Sequence, residues 1–217
     1  NGLASSDNIA VGRGALQSNN GVSAKRNIAI GVSSLGTNAS DNGTDNIAMG
    51  NHSLNSNAGS SSNSNIAIGV SALSSNTGNA SNDNIAIGSG ALSSNAGAAS
   101  NSNIALGSSA LANNNGNYSN NNIAIGKSAL SSNVGDGDYG NIAIGESSLA
   151  LNNGNNNYGN IALGLSALSS NLGTSCHSNI AIGSYVMVTN SWNNGYDNIA
   201  LGSGALNANA GGSSYKN

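Results

Sequence analysis

One feature constrains this chain more than any other: the motif Asn-Ile-Ala-x-Gly returns at a fixed interval of 19 residues, without a single insertion or deletion. It begins at Asn8 and recurs at Asn27, Asn46, Asn65, Asn84, Asn103, Asn122, Asn141, Asn160, Asn179 and Asn198. A strict period of this length is the signature of a repeat architecture, in which each repeat stacks on the next. Numbered from the motif Asn, position two is always Ile, position three Ala, position five Gly and position twelve Asn. Position four is Ile, Val, Leu or Met, position eight is Ala or Ser except for Val186, and position nine is Leu except for Met187. Position fourteen is usually Gly, and positions fifteen to nineteen vary.

Nineteen residues are too few for two helices with their turns, and the Asn and Gly content disfavours helix. An extended segment over positions one to four, a glycine bend, a second short strand around positions seven to eleven, and a variable loop fit the pattern better. The predicted fold is therefore all-β: a parallel β-solenoid of eleven 19-residue coils, with two short strands and a variable loop per coil. Residues 1–217 read as one array, residues 1–7 closing a preceding partial repeat. The chain starts and stops inside a repeat, so the expectation is a piece of a longer array or ends that stack on other copies.

Identical residues one coil apart should form ladders, the Asn at positions one and twelve amide ladders above all. Strand side chains alternate between faces. The expectation places Ile and its position-four neighbour inside the coil with Leu (Ile85, Ile87 and Leu92 in one repeat), and Ala outside. The outward stripe would comprise Ala10, Ala29, Ala48, Ala67, Ala86, Ala105, Ala124, Ala143, Ala162, Ala181 and Ala200. A solvent-facing position has no need of Ala eleven times. The apolar content of one thin coil is also small against the cost of ordering its backbone. The stripe is therefore expected to pack against another chain or another sheet.

Composition narrows the function. Charged residues make up 6% of the chain and aromatics 3%, and the net charge is −3. Five Lys and Arg scattered over 217 residues offer no track for a nucleic-acid backbone. No apolar run reaches membrane-spanning length. A single cysteine, Cys176, excludes an internal disulfide, and cysteine avoidance accords with an extracellular fibre.

The segment from Asn65 to Gly78 (Asn-Ile-Ala-Ile-Gly-Val-Ser-Ala-Leu-Ser-Ser-Asn-Thr-Gly) and its sister repeats resemble those of phage tail-fibre proteins. They are also similar to the head repeats of trimeric autotransporter adhesins, and more weakly to curli-type amyloid subunits. This resemblance implies a β-roll on the surface of a cell or virion, trimeric in many members, that mediates attachment.

No residue set points to catalysis, a metal or a cofactor. His52 and His177 lie many coils apart, and Cys176 and His177, as strand neighbours, would face opposite ways. Asp136 and Asp138 lack the further ligands of a calcium loop and read as a solvated turn. Position eighteen is more suggestive: Asn63, Asn82, Asn101 and Asn120 give way to Tyr139, Tyr158, His177, Tyr196 and Tyr215. These rings should stack, either as a stiffening ladder or as a surface for a partner or glycan. Position nineteen carries Asp7, Arg26 and Asp45 on successive coils, placing opposite charges side by side. The expected function is a self-associating structural segment used in attachment or matrix formation. Its partner would be itself, as a trimer or other homo-oligomer, or as an end-to-end filament. The alternatives are an ice-binding solenoid and a glycan-binding region at the tyrosine ladder.

Overall fold

The computed structural model describes residues 5–20, 24–39, 43–190 and 193–209. They form a parallel β-solenoid with one repeat per coil and, among the described residues, no helix. Two 11-stranded parallel sheets run along the axis, each strand hydrogen-bonded to its counterpart one coil away. The first sheet uses three-residue strands at positions two to four, such as Ile85–Ile87. The second uses two-residue strands at positions eleven and twelve, such as Ser94–Asn95. The register is in step throughout: Ile104 lies on Ile85, Ala105 on Ala86 and Leu106 on Ile87. With coils about 4.8 Å apart, the rod is roughly 50 Å long.

The second strand is shorter and later than the sequence suggested. Positions six to nine form a turn instead, because positions seven and nine adopt left-handed backbone. Ser71 has φ 55°, and the Leu and Met of position nine have φ between 45° and 49° in every coil. Leucine seldom accepts this conformation, which costs about 1–2 kcal/mol. Packing enforces it here: Leu92 is fully buried, and its N–H donates to the Ala110 carbonyl at 2.9 Å. The glycine at position five is required by the neighbouring coil. Gly88 has φ +131°, and a Cβ there would lie 2.5 Å from the Gly107 carbonyl oxygen.

The first sheet faces the opposite way to the expectation. Ala29, Ala48, Ala67, Ala86, Ala105, Ala124, Ala143, Ala162 and Ala181 are fully buried by their own chain, and Ala200 is 5% exposed. Ala10, in the first described coil, is exposed. Ile85 and Ile87 point outward and are half-buried, while Leu92 is inward as anticipated. The reason is volume. Each coil already projects inward a Leu (Met187 in one coil) from position nine, an Ala or Ser (Val186 in the same coil) from position eight, and two asparagines. Across so thin an interior, the facing strand has room for a methyl group and not for two branched side chains. The alanine stripe is thus part of the core and is not available as an interface.

Candidate functional site

Two structures dominate the molecule: a buried asparagine framework that fixes the coil, and the outer surfaces that it displays. Asn at positions one and twelve is fully buried from Asn27 and Asn38 through Asn190 and Asn198. Asn84 shows how such polarity is tolerated. Its side-chain amide donates to Asn65 Oδ1 at 3.2 Å and to the Ser100 carbonyl at 3.2 Å. Its own Oδ1 accepts the backbone N–H and the side-chain amide of Asn103, at 3.0 and 3.1 Å. Both donors and both lone pairs are therefore satisfied. Asn95, on the second strand, donates to Asn76 Oδ1 and to the same Ser100 carbonyl, each at 2.9 Å. The position-seventeen carbonyl thus clamps the two ladders together and closes the coil. The predicted ladders are present, and their shared acceptor in the variable loop was not foreseen.

Position seventeen is the inward residue of that loop. Its occupants are mostly small and neutral (Ser62, Ser81, Ser100, Ser119), followed by Asp138, Asn157 and Cys176, all fully buried. Asp138 Oδ1 accepts the Asn157 N–H at 2.8 Å, and Oδ2 accepts the Asn152 side-chain amide at 3.2 Å. No cation is among these contacts, and burial pushes its carboxyl up to about 8. Burial likewise raises the Cys176 thiol. Asp136 sits on the outside and accepts the Asn117 N–H at 2.8 Å, so the two aspartates do not converge. Among the described residues, no cluster of three His, Cys, Asp or Glu is placed to hold a metal.

The outer face of the first sheet carries two unbroken aliphatic ranks, the Ile of position two and the Ile, Val, Leu or Met of position four. Position four is substantially exposed: Ile68 36%, Leu106 42% and Ile144 39%. No charged residue occupies either rank. Two charge pairs flank it. Arg26 and Asp45, at position nineteen, form a bidentate pair with contacts of 2.7 and 2.6 Å, as the sequence suggested. Lys127 and Glu146, at position six, meet at 3.0 Å. Both pairs are solvated and add little stability. The second sheet presents mainly Ser, Thr, Asn and Ala outward at positions eleven and thirteen.

The aromatic column is formed as anticipated. Ring centroids lie 4.9 Å apart for Tyr139–Tyr158, 4.5 Å for Tyr158–His177 and 5.1 Å for His177–Tyr196, with planes within 7° of parallel. Tyr215 lies outside the described residues. The stacked rings cover one another's faces, so the column offers solvent mainly ring edges and hydroxyls.

No known protein family, curated protein or solved structure matches the chain.

Proposed function

We propose that the chain is a structural, self-associating segment of an extracellular or surface fibre used in attachment, and that its copies join through the outward aliphatic face. The observation that carries this reading is the pair of uncharged aliphatic ranks that runs the length of the first sheet. Contiguous exposed apolar surface of this kind marks an interaction site in soluble proteins. The face measures roughly 50 by 10 Å, so two copies would bury on the order of 1,000 Å², near the lower bound for a specific interface.

Periodicity identifies the partner. Ranks spaced about 4.8 Å apart interdigitate along their whole length only with a surface of the same period. A helix, with a pitch of about 5.4 Å, drifts half a rank out of step within about four coils. Another copy of this solenoid keeps step. Because the opposite face carries mainly Ser, Thr, Asn and Ala, with Val134, Leu151 and Leu172 as the exceptions, association closes into a dimer or trimer around one apolar axis and does not spread into a sheet. The test replaces Ile85, Ile104 and Ile123 with Lys and compares sedimentation and electron microscopy with the parent chain. The variant should keep its β-sheet circular dichroism and sediment as a monomer. A parent chain that is monomeric at all concentrations, or a variant that assembles as well as the parent, would overturn the proposal.

A further inference from the structure

We infer that the copies associate parallel and in register, the position-six flank of one copy lying against the position-nineteen flank of the next. The inference rests on the assembly through the aliphatic face proposed above and adds how one copy is aligned on another. Each strand of the first sheet is bounded by those two positions: Asp7 and Arg13 bound Ile9–Val11, and Gly159 and Leu165 bound Ile161–Leu163. Because successive strands pair in step, each flank is a column with one residue per coil. Symmetry decides which columns meet. Copies related by rotation about an axis parallel to the rods, whether two or three, bring unlike flanks together at equal height. Copies related by a two-fold axis across the rods bring like flanks together, running in opposite directions.

The charges on the flanks separate these arrangements. Among the described residues, position nineteen carries Asp7, Asp45, Asp83 and Asp197 against the single Arg26, and position six carries Arg13, Lys127 and Glu146, all exposed. An antiparallel pair sets the acidic flank against itself. A parallel pair in register sets Arg13 opposite Asp7 and places no like charges opposite each other. A slip of one coil in one direction sets Arg13 opposite Arg26, and a slip in the other sets Val32 over Asp7. Exposed ion pairs add little affinity, but like-charge juxtaposition excludes the wrong alignment, and that is what selects among these alternatives.

Shape points the same way. Leu165 is 40% exposed at position six, apart from the two aliphatic ranks. In the parallel register it faces Gly159 of the next copy, where a Cβ would meet nothing within 4 Å. That bare glycine leaves room for a large side chain, and the Tyr158 ring stands in the adjoining column. An antiparallel pair cannot bring the two together, because Leu165 and Gly159 lie on opposite flanks.

The experiment uses Ser102→Cys and Ser108→Cys, two exposed serines on opposite flanks of Ile104–Leu106, the middle strand of the first sheet. The native Cys176 is buried. Each variant alone, and an equal mixture of the two after subunit exchange, is treated with a short bifunctional maleimide that bridges the ~10 Å between face-to-face sheets. The concentration is one at which sedimentation shows the parent chain associated. The mixture should give a dimer linking one chain of each kind, at least about tenfold faster than either variant links to itself. Full antiparallel overlap places this coil opposite itself, so each variant would then link to its own kind. A one-coil slip would instead link Ser102→Cys faster to Ser89→Cys or to Lys127→Cys. Either of those patterns, or no link in an associated sample, overturns the alignment and leaves the aliphatic interface standing. A parent chain that sediments as a monomer at all concentrations overturns the interface and the alignment with it.

Discussion

The buried carboxyl of Asp138 makes a sharp prediction. It is enclosed by its own coil, accepts hydrogen bonds from Asn157 and Asn152, and is pushed up to about 8 from an ordinary value of 3.8. Between those limits the folded chain holds a proton that the unfolded chain has released. Stability from this group is thus fully present below about pH 4, is lost as pH rises toward 8, and stays lost above it. The interval corresponds to at most roughly 6 kcal/mol, and relaxation around the charge will reduce it. Asp138→Asn should remove the dependence. The next coil shows that Asn fits this place: Asn157 Oδ1 accepts the Cys176 N–H at 2.7 Å, and its amide donates to the Asn171 carbonyl at 3.4 Å. The assay is denaturant unfolding of parent and variant at several values between pH 4 and 8.5. The curves should nearly coincide at pH 4, and the variant should lead by several kcal/mol at pH 8.5. Parallel profiles across the range would show that Asp138 carries its charge at little cost and would refute the reasoning.

Two further substitutions probe the coil itself. Asn84→Ala removes one of the two donors to Asn65 Oδ1 and one of the two to the Ser100 carbonyl, and takes the shared acceptor from the Asn103 backbone N–H and side-chain amide; it should destabilise by about 3–6 kcal/mol in a thermal or denaturant melt. Gly88→Ala places a Cβ 2.5 Å from the Gly107 oxygen at a φ of +131°, and should be at least as damaging; hydrogen exchange would show protection lost at the coils on either side.

The sequence made the solenoid, its period and its parallel register legible, because an uninterrupted 19-residue repeat of strand and turn residues admits few other architectures. It also located the asparagine and aromatic ladders, since identical residues one period apart must stack. The orientation of the first sheet was not legible. Alternation shows that Ile85 and Ile87 share a face opposite Ala86, but it carries no sign. The usual preference for large apolar groups inside gave the wrong one, because the interior of this coil is narrower than a typical core. The turn at positions six to nine was hidden for a related reason: left-handed Leu92 is imposed by burial and not by local preference. The inward character of Asp138 had a faint signal, the small neutral residues that fill position seventeen in the other coils.

The central claim is that alanine faces the coil's interior while isoleucine faces a second copy of the chain. Thiol labelling of Ala105→Cys and Ile104→Cys tests both halves at once, with the buried Cys176 of the parent as the baseline. Ala105→Cys should resist labelling at every protein concentration. Ile104→Cys should label rapidly when dilute and become protected as concentration rises and copies associate. Equal labelling of the two cysteines, or an Ile104→Cys rate that does not change with concentration, would contradict the account.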